Sequence, residues 1–217
     1  MTYGNRLYLA RARGGFEQTP LSDSIARSGW SWGASAFDFD NDGFPDVYIA
    51  SGHESRQTVH EYEPEFWLHD IHIDDAVDVL SATAYFLGRF SRRRAAGWSY
   101  GGYEKNRLYL NEHGGAFVEI GHLMGVALEQ DSRNVVADDL DGDGRMDLLV
   151  TTYEVWPETK QTLRIYRNAL EDCGNWIGFR FREEGPGKSP AGVRVVLSAN
   201  GRTAVRQIVS GDSFRSQ

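Results

Sequence analysis

The chain has 217 residues, of which 41% are hydrophobic and 25% are charged, and its formal net charge is −8. This length and composition fit one globular domain, or one and a half, with an ordinary core. The acidic balance argues against nucleic-acid binding, which requires a basic surface. No run of about eighteen apolar residues occurs, so the sequence predicts no transmembrane helix. The single cysteine, Cys173, cannot form an internal disulfide and says little about the cellular compartment.

The chain opens with a predicted strand, the sequence NRLYL at 5–9, which a Gly-Gly turn separates from a second strand near Phe16. NRLYL returns at 106–110, an offset of 101 residues (106 − 5), and is followed by another Gly-Gly turn and Phe117. A third strand of this kind is predicted at 163–168. Internal repeats of short strands with recurring turns are typical of propellers and other closed arrays.

An aromatic segment, Trp30-Ser31-Trp32-Gly33, precedes the next predicted element. Tryptophan rings can stack on sugars, but tryptophan close to a repeated strand more often belongs to the core. Packing between repeats is therefore the favoured interpretation of this segment.

An acidic nine-residue loop occurs twice, at 38–46 and at 139–147, with the pattern D-x-D-x-D-G-x-x-D and the same offset (139 − 38 = 101). Four carboxylates in so short a segment repel one another unless a divalent cation neutralises them. Carboxylate and carbonyl oxygens are the ligands that calcium prefers. Gly43 and Gly144 stand where the chain must reverse, so a positive φ is expected at both.

The flanking residues distinguish these loops from an EF-hand, which lies between helices and ends in a bidentate Glu at its twelfth position. Here the twelfth positions are Ile49 and Val150, within short β-branched runs that predict strands. The sequence thus predicts two strand–loop–strand calcium sites, whereas Asp-rich turns that bind nothing are the less favoured alternative. The predicted ligands are the side chains of Asp38, Asp40, Asp42 and Asp46 with the carbonyl of Phe44, and the side chains of Asp139, Asp141, Asp143 and Asp147 with the carbonyl of Arg145.

Between about 54 and 103 the repeat is interrupted. A helix is predicted at 74–90, because apolar residues recur at three- and four-residue steps from Ala76 through Leu80 and Leu87 to Phe90. The arginines at 92–94 complement the dipole at its carboxyl end, which favours a solvated helix end over a site for an anionic ligand.

Two weaker patterns bear on chemistry. Glu65, His69 and His72 have a spacing that a helix would bring together, but one carboxylate and two histidines are a weak signal for a transition metal, so ordinary surface or core histidines are favoured. No H-E-x-x-H motif and no phosphate-binding loop occurs. Calcium-bound carboxylates stay ionised and are poor general acids, so no catalytic residue is predicted and a non-enzyme is favoured.

The acidic loops and the repeat resemble those of the FG-GAP/VCBS repeat proteins. The tail narrows the resemblance to the ASPIC/UnbV, or cartilage acidic protein-like, group. That group has an N-x-W-hydrophobic strand, a G-A-[RK]-V strand and an R-E-V-x-S-G-x-x-x-x-S-Q segment. The chain departs from this pattern at two places, Ala191-Gly192 in the second strand and Gln207 in the last segment. The matching segments here are 175–181, 191–195, 201–203 and 206–217.

The resemblance implies an all-β fold. We expect a partial FG-GAP/VCBS-type β-propeller over 1–170, with a helical insertion at about 54–103, followed by the start of an ASPIC/UnbV β-domain over 175–217. The chain begins on a repeat strand without a signal peptide and ends early in the tail domain. We therefore expect a longer protein, with missing blades and open sheet edges where this chain stops.

The resemblance also implies export, and open calcium loops suit millimolar extracellular calcium. An extracellular or periplasmic location is thus expected. The expected function is a calcium-stabilised recognition or adhesion module that binds a protein or carbohydrate partner. The alternative is a polysaccharide-acting or secondary-metabolite biosynthetic enzyme, whose active residues lie in the insertion or in the missing parts.

Overall fold

The fold is all-β, and the computed structural model describes residues 4–11, 13–74, 78–181, 189–199 and 201–209. The elements before the insertion are β1 (Leu9–Ala10), β2 (Phe16–Glu17), α1 (Leu21–Ile25), β3 (Ser31–Phe37) and β4 (Asp46–Ser51). The insertion contains β5 (Thr58–Glu61), α2 (Glu63–Asp74), α3 (Val79–Ala95) and β6 (Trp98–Ser99). The elements after it are β7 (Arg107–Asn111), β8 (Phe117–Glu119), β9 (Ser132–Asp138), β10 (Asp147–Glu154), β11 (Lys160–Tyr166), β12 (Arg194–Ala199) and β13 (Arg202–Gln207).

The repeat in the sequence is also a repeat in the structure. Strands β3 and β9 begin and end at equivalent residues, 101 apart, and each pairs with the strand that follows its acidic loop. Both hairpins carry a bulge at the same place, between Ser31 and Gly33 in the first and between the equivalent Ser132 and Asn134 in the second. The predicted repeat of strand, turn, strand and acidic loop is confirmed.

Two antiparallel sheets form the main body. One has the strand order β3-β4-β7-β8, and the other has the order β9-β10-β11. Strand β11 lies beside β10 in the same way that β7 lies beside β4. Leu148 of β10 pairs with Tyr166, and the equivalent residue of β4, Val47, pairs with Tyr109. The strand predicted at 163–168 overlaps β11 and is therefore a strand of the NRLYL type, as predicted.

The first NRLYL segment is less regular than the second. In the first copy only Leu9 pairs with a neighbouring strand, β2, whereas four of the five residues of the second copy lie in β7, which pairs on both sides. Identical sequence thus gives a full strand only where a partner strand lies beside it.

The core fills the space between the two sheets. Tyr48, Leu108 and Val135 are completely buried there, and the Tyr48 hydroxyl donates to the Val126 carbonyl at 2.7 Å. A smaller cluster covers the other face of the four-stranded sheet, where Ile25 of α1 packs with strand residues. The sheets are therefore held together by apolar contacts, to which hydrogen bonds such as that from Asn106 to Ser132 at 2.8 Å are added.

The insertion lies between two strands that are hydrogen-bonded neighbours, β4 and β7. It contains two helices, so the predicted helix at 74–90 is wrong in its limits. Helix α3 begins at Val79, because the Asp78 carboxylate caps it by accepting from the Ser81 N–H at 3.1 Å, and it continues to Ala95. Ala76 lies outside the described residues.

The predicted apolar face of α3 is correct at Phe90 but wrong at other positions. Leu80 is 83% exposed, whereas Phe86, which lies outside the predicted stripe, is 9% exposed. Phe86 and Phe90 face α2, where the His69 ring lies 5.3 Å and 6.0 Å from them. Aromatic packing between the two helices therefore decides which face is buried.

Glu104 joins the end of the insertion to β3, because its carboxylate accepts from the Trp30 N–H. Burial is the largest cause that raises the pKa of Glu104 to about 7, and the charges of Glu63 and Glu61 raise it further. The pKa of this carboxyl is higher in the folded chain than in the unfolded chain. Its contribution to stability is therefore complete below the unfolded-state pKa and is lost as the pH rises through the folded-state pKa. The junction should therefore weaken between about pH 4.5 and pH 7.

Glu104→Gln should flatten this pH dependence. We expect the variant to lose less free energy of unfolding than the parent chain between about pH 5 and about pH 8, measured by chemical denaturation in EDTA. Glu158→Gln, at an exposed position, is the control and should leave the profile unchanged. Parallel pH profiles for Glu104→Gln and the parent would contradict the prediction.

In the described part of the tail, β12 and β13 form a hairpin and pair only with each other. The N-x-W-hydrophobic strand expected at 175–181 is wrong, since these residues have no strand partner in the described part of the chain. The end of the expected tail motif, 210–217, lies outside the described residues. Among the described helices, none has the length and apolarity needed to cross a membrane.

Candidate metal centres

Each acidic loop is a tight turn that joins two antiparallel strands, β3 to β4 and β9 to β10. Gly43 has φ +93° and Gly144 has φ +85°, so both expected positive values are confirmed. Strands rather than helices flank the turns, which confirms the predicted difference from an EF-hand.

The turns are folded by their own carboxylates. Asp38 accepts from the N–H groups of Asp42 and Gly43, both at 3.0 Å, and Asp42 accepts from the Phe44 N–H at 2.7 Å. The equivalent residues of the second turn repeat all three bonds at 2.9–3.0 Å. The same local sequence therefore produces the same folded turn twice.

The geometry fits a hard divalent cation. In each turn three carboxylates offer one oxygen apiece, and these oxygens all lie within 4.8 Å of one another. Two oxygens on one calcium ion can be at most about 5.2 Å apart, because calcium–oxygen bonds are about 2.3–2.6 Å long. The predicted ligands brought together in this way are Asp38, Asp40 and Asp42 in the first turn and Asp139, Asp141 and Asp143 in the second.

The fourth carboxylate of each turn has a structural task. Asp46 is 1% exposed and accepts from the Phe39 N–H at 2.6 Å and from the Asn111 N–H at 2.8 Å. Asp147 accepts from Leu140 and Asn168 in the same way. A carboxylate oxygen has a second lone pair, so a metal bond remains open to both aspartates. Their role as ligands, like that of the Phe44 and Arg145 carbonyls, stays a prediction.

Sequence reasoning missed two asparagines at the turns. Asn111 donates its side-chain amide to the Pro45 carbonyl at 2.9 Å, and Asn168 donates its own to the Phe39 carbonyl at 2.8 Å. Both asparagines end strands of the NRLYL type, a shared feature that a comparison of the repeats could have found. Both amides therefore bond to the first turn region, Asn111 from β7 and Asn168 from the residues that follow β11.

The two turns differ in their charged neighbours. In the second turn Arg145 pairs with Asp143, and Arg167 contacts Asp141 at 2.7 Å and Asp143 at 3.2 Å. The hydrogen bond from Arg145 is the main cause that lowers the pKa of Asp143. In the first turn burial is the main cause that raises the pKa of Asp38. Two arginines therefore compete with a cation at the second turn, whereas the first turn has one longer arginine contact, between Arg206 and Asp38 at 4.0 Å.

Arg167→Gln should strengthen cation binding at the second turn. Without the competing guanidinium, calcium affinity should rise about two- to fivefold at one of the two sites. Calcium calorimetry measures the change, and Arg164→Gln is the control because Arg164 contacts Gln130 rather than the turn. Unchanged dissociation constants at both sites would show that Arg167 does not compete.

The turns lie side by side, and the tail packs across them. The Asn41 side chain donates to the Gly144 carbonyl at 3.1 Å, and the Gly174 N–H donates to the Asp40 carbonyl at 3.0 Å. A methyl group added to Gly144 would lie 1.9 Å from Cε2 of Trp176, so the indole rests directly on the second turn. Trp176 is nevertheless 53% exposed.

Gly144→Ala should destabilise the chain more than Gly43→Ala. Both glycines need a positive φ, which costs alanine about 1 kcal/mol, but a methyl group on Gly43 meets nothing within 4 Å. The clash with Trp176 should raise the cost at Gly144 to about 2–3 kcal/mol, measured by chemical denaturation. In a Trp176→Ala background the two costs should become equal, and a difference that persists there would contradict the contact.

The other candidate sites do not assemble. Glu65 forms ion pairs with Arg89 at 2.9 Å and Arg93 at 3.1 Å rather than facing a metal, and the His72 side chain lies outside the described residues. Arg94 likewise pairs with Glu54 at 3.2 Å.

A G-x-S-x-G pattern at 29–33 resembles a hydrolase nucleophile motif, but it runs into a strand instead of a helix. Its serine, Ser31, bonds to Asn5, Gly29 and Ser51. In the same segment Trp30 packs on His53 and Tyr100, as predicted for core packing, whereas Trp32 lines a cleft.

Repeated antiparallel units with an acidic turn between their first two strands define a repeat protein of β-propeller type. The family model of the FG-GAP-like repeat matches residues 2–49 and 74–150, which together make up more than half of the chain. The chain therefore belongs to the FG-GAP-like repeat family. No curated protein matches the chain, and no solved structure matches it.

Proposed function

We propose that the chain is a calcium-stabilised recognition or adhesion module that works outside the cytoplasm and binds a protein or carbohydrate partner. FG-GAP repeats often serve as extracellular modules of this kind. The observation that carries the proposal is the pair of folded turns, each of which holds three carboxylate oxygens within reach of one cation. Millimolar calcium outside the cell suits such open sites. When bound, calcium neutralises the carboxylates and holds the two ends of each turn together.

The proposal also divides the chain into two domains. We assign 1–170 to a propeller portion with an insertion at about 54–103, and 175–217 to an ASPIC/UnbV domain. The return of the chain to β7 beside β4 supports the insertion, and the separate β12–β13 hairpin supports the change of domain. Limited proteolysis of the chain would test these limits.

Calcium calorimetry tests the central claim. We expect two ions per chain, and we expect Asp40→Asn and Asp141→Asn each to remove one. These aspartates suit the test because each accepts only one weak backbone bond, at 3.2 Å and 3.3 Å, so the fold should tolerate the change. Asp172→Asn, at an exposed position outside the turns, is the control. Absence of calcium binding in the parent chain would refute the proposal.

A further inference from the structure

A cleft of about 670 Å³ opens at the ends of the strands that lie opposite the acidic turns. The second turn joins the end of β9 to the start of β10, whereas the cleft is lined by the start of β9 and the end of β10, with Trp32 of β3 and Gln161 of β11. This volume is typical of small-molecule sites. The cleft is thus separate from both candidate metal centres.

An arginine between two aromatic rings forms one wall. The Arg133 guanidinium carbon lies 4.8 Å from the centre of the Trp32 ring and 5.7 Å from that of the Tyr153 ring. Arg133 also donates to the carbonyls of Gly52 and His53, both at 2.6 Å. These bonds fix the Arg133 side chain before any ligand arrives, which reduces the entropy lost on binding.

Arg133 forms no ion pair in the described part of the chain. Burial lowers the pKa of its guanidinium, although the nearby charges of Asp131 and Glu54 raise it, which means that on balance the surroundings disfavour the positive charge. An anionic group in the cleft would offset this cost and would form charge-assisted hydrogen bonds.

Two polar atoms in the cleft lining are also unsatisfied. Thr152 is 1% exposed, and neither its Oγ1 nor Asn134 Oδ1 has a hydrogen-bond partner among the described residues. Buried polar groups normally have partners, so such exceptions call for a ligand or a bound water. Both residues lie at the bulge of the β9–β10 pair, and bulges often redirect side chains beside binding sites.

The first repeat provides an internal comparison. Its residue equivalent to Thr152 is Ser51, whose hydroxyl donates to the Ser28 carbonyl at 2.8 Å and is therefore satisfied. The equivalents of Arg133, Asn134 and Tyr153 are Trp32, Gly33 and Gly52. The repeats thus share the acidic turns but differ at the cleft, where the second copy has a cation, an amide and an aromatic ring.

We infer that this cleft binds an acidic oligosaccharide, with a sugar ring against Trp32 and Tyr153 and a carboxylate or sulfate beside Arg133. Aromatic faces suit the apolar faces of sugars, and the Asn134, Thr152 and Gln161 side chains suit their hydroxyl groups. The inference rests on the proposed recognition function and gives it a place and a ligand class.

An array of neutral, uronate-containing and sulfated oligosaccharides in millimolar calcium identifies the ligand, which is then titrated by calorimetry. Arg133→Gln should weaken binding of the acidic oligosaccharide at least about tenfold and change binding of its neutral analogue by less than about twofold. Arg92→Gln, which alters an exposed arginine on α3, is the matched control and should leave both affinities unchanged.

Thr152→Val separates a ligand role from a structural one. Valine keeps the shape but removes the unsatisfied hydroxyl, so the melting temperature without ligand should rise while affinity falls at least about threefold. A lower melting temperature would show that the hydroxyl already has a partner in the fold, and would contradict the inference.

The remaining outcomes distinguish this inference from the proposed function. If two calcium ions bind but no acidic oligosaccharide does, the cleft assignment fails and the metal-stabilised module stands. If an oligosaccharide binds equally well to Arg133→Gln and Thr152→Val, it binds elsewhere and the assignment also fails. If the parent chain bound the acidic oligosaccharide and its neutral analogue with equal affinity, the inference that the ligand is acidic would be wrong. Loss of calcium binding itself would overturn the proposed function.

Discussion

Calcium is expected to raise the free energy of unfolding by about 5 kcal/mol when both turns are exposed to one hundred times their dissociation constant, because each occupied site contributes about 2.7 kcal/mol by linkage. The unfolded chain cannot hold the three carboxylates of a turn within 4.8 Å of one another, so the ion binds the folded state preferentially. Thermal and chemical denaturation in EDTA and in a calcium series measure the effect.

Two comparisons make this result specific. Asp40→Asn and Asp141→Asn should each keep about half of the calcium-dependent gain, since each leaves the other turn intact. Magnesium should stabilise less, because it demands near-ideal octahedral geometry and gives up its water reluctantly. The same melting temperature in EDTA and in calcium would remove the metal assignment, and the turns would then be folding elements alone.

Local patterns predicted the turns well because each turn is held by hydrogen bonds among its own residues. Asp38 bonds to backbone groups four and five residues along the chain, so nine residues contain nearly all the information that the turn needs. The repeat added a second copy, which made the strands on either side predictable as well. These are the features that the structure confirms.

Features that depend on a distant neighbour were predicted poorly. The face of α3 is decided by aromatic residues of α2, and the first NRLYL segment lacks the partner strand that makes the second one β7. Residues 175–181 were expected to form a strand, but Gly174 and Trp176 pack on the acidic turns instead. Periodicity and motifs do not specify which partner a segment meets.

The same limit applies to the candidate sites. The ligand aspartates could be read from the sequence, whereas the competing Arg167 lies outside the second loop and meets it only in the fold. The cleft is assembled from four strands, and its residues form no motif in the sequence. It becomes visible when the two repeats are compared position by position in the structure.

Asp46→Ala should cost about 3 kcal/mol of unfolding free energy in EDTA, because it leaves the buried N–H groups of Phe39 and Asn111 without an acceptor. Each lost partner costs about 1–3 kcal/mol, and the total is reduced because burial raises the pKa of Asp46 to about 6 and thus already disfavours its ionised form. Chemical denaturation measures the loss.

Asp40→Ala provides the comparison, because the Asp40 carboxylate is half-buried and accepts one weak bond from Asp42. In EDTA it should cost less than about 1 kcal/mol, so equal losses for the two variants would contradict the structural role of Asp46. In calcium the comparison tests the predicted fourth ligand. If Asp46 also binds the ion, Asp46→Ala should lose the calcium-dependent gain of the first turn as Asp40→Ala does. If the gain survives in Asp46→Ala alone, this aspartate joins the turn to β7 and the cation is bound by the other three.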